Sequence, residues 1–206
     1  MPDGYHRVDV MLVRYLSHPQ VFIEPQFPVP DWSLSALGIQ RVYNLLNTQW
    51  IRDVGYVMSS PERKAMETAQ PIAKQFGLDL RINAKMHEND RSSTGYLPPL
   101  AFERTVTEFM KHPNRSIRGW ESAVHAQARI VEQVEVAVKH YRRLAPLRGD
   151  ILLVGHGGVG TLLYCHFAGL DIDRKFDQPP GGGNYITIDW TDQRVLHGWL
   201  PMEESF

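Results

Sequence analysis

A three-layer α/β/α sandwich around a mostly parallel, doubly wound sheet is the fold the sequence predicts, and three observations predict it. Short continuous apolar runs rich in valine, isoleucine and leucine recur along the chain, as expected for strands covered on both faces. Stretches of helical periodicity alternate with them. Two of the runs, at residues 54–58 and 151–154, pass directly into polar or glycine-rich turns that open helices.

Taken in order, the apolar residues 11–13 read as the first strand, and Arg14 follows them at what would be its carboxyl end. Ligands collect at that edge of an open parallel sheet. Residues 21–32 carry three prolines and read as loop. Ser35 is an expected N-cap for a helix running to about Thr48, with Ile39, Val42, Leu45 and Leu46 on its apolar face. The second strand, 54–58, meets Ser60-Pro61, a helix start with Ser60 as N-cap and Pro61 at the first helical position. Backbone N–H groups at such a helix start favour an anion. Pro71 falls inside this helix and Gly77 ends it.

A weaker strand at 78–82 precedes a long polar loop, 87–99, of the kind that carries function. Helices are expected at 101–111 and 121–143, the second with Val124, Ala128, Val131, Val134 and Val138 facing the core. Between them Arg115 and Arg118 sit in a loop. The strand at 151–154 turns through Gly155-His156-Gly157-Gly158-Val159-Gly160 into a helix reaching about Phe167, and strands at 185–190 and 195–199 close the chain. All 206 residues are read as one domain.

Composition narrows the function. Lys+Arg number 22 against Asp+Glu 23, a net charge of −1, so no basic footprint for nucleic acid or an anionic membrane exists. No apolar run reaches the roughly 18 residues that a membrane span needs. One cysteine, Cys165, excludes an internal disulfide, and a cytoplasmic location is expected. Trp50 and Trp199 are read as exposed apolar surface that a homodimer would cover. His87-Glu88 lacks the second histidine of a zinc-protease helix, so no metal or other cofactor is expected. The glycines from Gly155 to Gly160 fit a dinucleotide fingerprint, but the acidic strand end that should follow about 20 residues later is missing. They are better explained as room around His156.

Five segments in order resemble the histidine phosphatase (phosphoglycerate mutase-like) superfamily. The family's first strand ends in Arg-His-Gly, matched here to Arg14-Tyr15. A Leu-Thr-x-x-Gly helix start is matched by Leu34 to Gly38, and Ser-Pro-x-x-Arg-Ala-x-x-Thr-Ala by Ser60 to Ala69. The acidic residue after the third strand falls on Glu88, with Asp90 in reach, and the late His-Gly pair on His156-Gly157.

The resemblance implies phosphoryl transfer through a phosphohistidine on a small phosphorylated molecule. One histidine attacks phosphorus, a carboxylic acid protonates the leaving oxygen, and two arginines with a second histidine hold the phosphoryl oxygens. On this alignment Arg14, Lys64 and His156 bind phosphate, Glu88 is the acid, and Tyr15 occupies the nucleophile position. A phenol would need its pKa lowered by about 3 units, some 4 kcal/mol, to match an imidazole. Tyr15 is therefore expected to serve as a pocket wall or hydrogen-bond donor, while His18, three residues on, is open to two readings: a cap of its own turn, or an imidazole returned to the pocket. Arg63, Arg91 and Arg118 are candidates for holding a second acidic group. Two functions follow: a phosphomonoester-binding protein with weak or rerouted phosphoryl transfer, phosphatase or mutase, or a non-catalytic phosphate-ligand sensor.

Overall fold

The computed structural model describes residues 11–144 and 149–206. The head of the first apolar run, Val8 to Val10, lies outside the described residues. Six strands form one sheet in the order β3-β2-β4-β1-β5-β6: β1 Leu12–Ser17, β2 Val54–Ser59, β3 Leu80–Ile82, β4 Asp150–Gly155, β5 Asn184–Asp189 and β6 Arg194–Pro201. β3, β2, β4 and β1 run parallel, whereas β5 pairs antiparallel with both β1 and β6. The mixed sheet matches the expected α/β class, with β5 reversed and β6 running again in the direction of the parallel strands.

Helices cover both faces. α1 (Ala36–Leu45) and α2 (Arg63–Phe76) pack Val42, Leu45, Ala65, Ala69 and Ile72 against one side. α3 (Pro99–Lys111), α4 (Ala123–Tyr141) and α5 (Gly157–Phe167) cover the other. Ser35 caps α1 as predicted, its hydroxyl accepting from the Gly38 N–H at 3.1 Å. Gly77 ends α2 at φ +64°, where a side chain would be strained. The core face of α4 is turned from the predicted one. Val134 and Val138 are buried as predicted, but Val124 and Ala128 are exposed and Ala126, Ile130 and Ala137 take their place, the small residues letting α4 lie against α5. Trp50 is buried too. It stacks on Tyr185 at 4.4 Å and donates to the Met202 carbonyl, while Trp199 donates to that of Phe176. Neither is the open apolar surface expected from the sequence. No helix among the described residues is long and apolar enough to cross a membrane.

The largest correction concerns β1. The strand does not stop at Arg14 but continues through Leu16 to Ser17, and the His18 N–H still bonds the Gly155 carbonyl at 2.9 Å. Arg14 is thus mid-strand. Its guanidinium points back toward the amino end of β4, where it meets the Asp150 carboxylate at 2.8 Å, the Thr187 hydroxyl and the Trp50 ring. A buried ion pair answers for the charge, so the apolar run is interrupted without leaving the core.

Removing one member of such a pair strands the other. Both side chains keep slight exposure, 9% and 14%, so Arg14→Met should cost about 2 kcal/mol and lower Tm by roughly 4–8 °C. Thermal denaturation measures this. Loss of anion binding by a folded, equally stable variant would return Arg14 to the ligand site.

Candidate functional site

The carboxyl edge of the parallel strands gathers Ser17-His18 after β1, Ser59-Ser60 after β2 and His156 after β4. His156 is the N-cap residue of α5 and is fully buried. The core holds its backbone. From β1, Tyr15 reaches beneath it, accepting from the His156 N–H at 2.8 Å and donating to the His156 carbonyl at 3.1 Å. A Cβ on Gly155 would overlap the Tyr15 hydroxyl, so the glycine there is needed for this approach. Burial pushes the Tyr15 phenol far above its usual range. Tyr15 is therefore a neutral core residue under the site, and the nucleophile position read from the sequence falls on a group that cannot ionise.

On the other side, the His156 ring lies 5.3 Å, centroid to centroid and edge-on, from that of His18. His156 Nε2 is 2.7 Å from the Ser60 hydroxyl and 3.4 Å from a Glu62 oxygen, while Nδ1 has no hydrogen-bond partner among the described residues. The helix cap falls two residues later than foreseen, on Glu62 with no side-chain cap bond, while the Ser60 hydroxyl accepts from the Glu62 N–H at 3.3 Å and also meets the histidine. His18 Nδ1 lies 2.8 Å from the Pro19 carbonyl. A carbonyl only accepts, so Nδ1 carries the proton and Nε2 the lone pair. Desolvation, reinforced by the Lys64 ammonium, lowers the His18 pKa to about 4. Desolvation likewise puts His156 well below its usual range.

Sequence reading missed Glu62, which is buried at the centre of the site. Burial alone would raise its carboxyl, but His156, the ion-paired Lys64 ammonium and the Glu88 N–H hold it at about 2. With His156 neutral near pH 7, the lysine is the effective charge partner. Lys64 is buried with it, bonded also to the Val29 carbonyl at 2.9 Å. Glu88 accepts from three backbone N–H groups, those of Asn89, Gly158 and Val159, at 2.9–3.0 Å. It thereby closes the start of α5. Asp90 only shapes its own loop, accepting from the Ser92 N–H.

Two cavities meet here. One, of about 480 Å³, is lined by His18, Glu88, Asn89, Arg91, Gly157 and Gln178 among others; a second, of about 550 Å³, shares Glu88, Asn89 and Arg91 and reaches Glu62. Ser17, beside His18, donates to the Gln178 amide oxygen at 2.5 Å and accepts from the Asn184 N–H. Gln178 and the buried Asn89, whose Nδ2 has no partner among the described residues, were not foreseen either. Amides of this kind carry no signal in one sequence. Arg63 lies elsewhere, paired with Glu67 at 2.8 Å in a groove beside α1. Arg118 is an exposed loop residue at φ +54°, and Arg115 is exposed beside it. Among the described residues no group of three or more His, Cys, Asp or Glu is arranged to hold a metal ion.

A mixed sheet with two histidines and a glutamate at its carboxyl edge defines a phosphoglycerate mutase-like α/β architecture. Residues 26–199 match the histidine phosphatase superfamily (branch 1), and the chain belongs to that superfamily. No curated protein matches it. Among solved structures, mycobacterial glucosyl-3-phosphoglycerate phosphatase in complex with inorganic phosphate superposes with a TM-score of 0.77 at 18% identity, over 95% of this chain and 100% of that one. The product of an open reading frame of Mycobacterium tuberculosis gives 0.70 at 16%, over 93% and 98%. A Thermus thermophilus protein gives 0.59 at 20%, over 92% and 99%. At these identities the likeness is one of fold.

Two measurements test this geometry. Tyr15→Phe leaves the buried His156 N–H without its acceptor, which should cost about 1–3 kcal/mol in chemical denaturation; an unchanged midpoint would mean the phenol clamp contributes nothing. His18, with its folded pKa below the 6.5 of an unfolded imidazole, binds fewer protons in the native state between pH 6.5 and 4. Stability should therefore fall as pH drops through that window. NMR titration of the ring should find His18 neutral at pH 5.5, and a midpoint above 6 would remove the effect.

Proposed function

We propose that the chain is a phosphomonoesterase of its superfamily, in which His18 carries the phosphoryl group and turnover is slow. The observation behind this reading is the His18 ring itself: Nδ1–H is anchored on the Pro19 carbonyl, Nε2 keeps its lone pair, and the ring borders the cavity 5.3 Å from His156. The superfamily's Arg-His-Gly then matches Ser17-His18-Pro19, three residues later than Arg14-Tyr15.

In the proposed reaction His18 Nε2 attacks phosphorus and the phosphorus–oxygen ester bond breaks. The departing oxygen takes a proton from the carboxylic acid form of Glu88. Water then attacks the phosphohistidine, returns a proton to Glu88 and leaves as part of inorganic phosphate, which restores neutral His18. Arg91, on the cavity wall, offers charge to the phosphoryl oxygens, and the buried His156 ring backs His18 edge-on. Such transfer depends on positioning and electrostatic stabilisation. Here Ser17 stands at the motif's first arginine and Lys64, tied to Glu62, at its second. Losing one preorganised donor costs about 10²–10³ in rate.

That same substitution supports the second reading, a phosphate-ligand binding protein without turnover. Acid-quench trapping separates them. Vanadate and phosphate should bind, p-nitrophenyl phosphate should turn over slowly, and an acid-labile phosphoenzyme should form in the parent and in Tyr15→Phe but not in His18→Ala. Glu88→Gln should slow alkyl esters more than p-nitrophenyl phosphate, whose leaving group needs little protonation. Binding with no phosphoenzyme would select the second reading, and no anion binding at millimolar phosphate would defeat both.

A further inference from the structure

The cavity beside His18 has two chemically different ends. Toward the sheet stand His18, Glu88, Gly157 and Gly158. Away from it, α3 contributes Phe102, Val106 and Met110, and the loop after α5 adds Pro179 and Pro180. Phe102 and Val106 are only partly buried, packed on the core cluster around Phe109 and Trp120, so they present a firm apolar shelf.

The charges around that shelf are largely answered within the protein. Arg174 holds Glu103 and, at 3.3 Å, Asp177, and donates to the Thr107 hydroxyl at 2.7 Å. The Arg91 guanidinium lies over the Phe102 ring at 4.8 Å. With both histidines neutral and Glu88 holding the proton it donates in the proposed reaction, the cavity wall carries two cations, Arg91 and Arg174, against two carboxylates, Glu103 and Asp177. A substrate whose leaving group bore a second carboxylate or phosphate would meet a rim with no spare cation, because Arg174 is already bridged to Glu103 and Asp177. The other cation, Arg91, is not bridged to that rim, but the phosphoryl group itself competes for it.

We infer that the site takes phosphomonoesters of an apolar alcohol or phenol, with the hydrocarbon on the Phe102–Val106 shelf, in preference to phosphorylated polyols and sugar acids. This rests on the reading that the His18 end receives the phosphoryl group. Phe102 is then a specificity-determining residue, and its ring also holds Arg91 at the mouth of the phosphoryl end.

Esters with similar alkoxide leaving groups isolate the effect from leaving-group reactivity. The full chain should bind and hydrolyse n-hexyl phosphate about tenfold better than glycerol 3-phosphate in kcat/KM, since several buried methylenes are gained, and 3-phosphoglycerate should be poorer still. If turnover is too slow to rank them, displacement of bound vanadate gives the same order as affinities. Phe102→Ala should shrink the hexyl advantage, and Val106→Asp should reverse it, with circular dichroism confirming that both variants fold. Equal affinity for all three esters, or a preference for 3-phosphoglycerate, overturns the inference while leaving phosphoryl binding intact. Absence of vanadate binding by the parent chain overturns both.

Discussion

Two hydrogen bonds between the Tyr15 hydroxyl and the backbone of His156 hold the centre of this molecule. They join the middle of β1 to the point where β4 becomes α5, so the residue at the N-cap of that helix is fixed from inside the core. A hydrogen bond is stronger in such surroundings than in water, and leaving its partner unpaired is correspondingly costly. Everything at the rim inherits its position from this contact. The His156 ring is set against Ser60 and His18, and Glu88 can then close the start of α5 through Gly158 and Val159. The glycines around His156 make room for protein groups, the Tyr15 phenol at Gly155 and the Glu88 carboxylate at Gly158.

Much of the architecture was legible because it follows from local chemistry. Strands covered on both faces need continuous apolar runs, and β2, β4 and the helix starts at Ser35 and His156 announce themselves in that way. The misread positions share a different cause. A charge after an apolar run normally marks the exit from the core, and Arg14 looked like that exit; its neutralising partner, Asp150, is 136 residues away. Nothing in the neighbourhood of Arg14 discloses the pair. In the register proposed above, the strand end lies three residues later than the sequence suggests, which moves the whole motif from Tyr15 to His18. That register puts serine in the motif's arginine position, so the sequence carries no mark of it. Glu62, Asn89 and Gln178 were invisible for a related reason: their relevance comes entirely from what the fold brings beside them.

Glu62 changes how the charges at the rim should be counted. A lysine in the second arginine position seems from the sequence to preserve a cation for phosphate. In the folded chain that ammonium is buried against the Glu62 carboxylate and the Val29 carbonyl. The pair is nearly neutral as a unit, and neither member can be withdrawn without leaving the other charged in a poorly solvated place. It is burial that chiefly keeps His18 and His156 unprotonated, with Lys64 adding to it at His18 and the Glu62 carboxylate opposing it at His156. An uncharged imidazole is what a nitrogen nucleophile requires.

In the proposed reaction, then, nucleophile readiness and charge stabilisation are separated. The environment that keeps His18 neutral is the one that ties up Lys64, and Ser17 directs its hydroxyl to Gln178. Transition-state charge falls to Arg91, which offers fewer donors than a pair of bidentate guanidinium groups would supply. A site weak in charge recognition must draw affinity from elsewhere. The apolar shelf on α3 is the available source, because hydrocarbon burial depends on area and needs no free cation. The loss of arginines at one end of the cavity and the hydrophobic wall at the other are thus parts of a single balance, in which shape carries more of the selection and charge less.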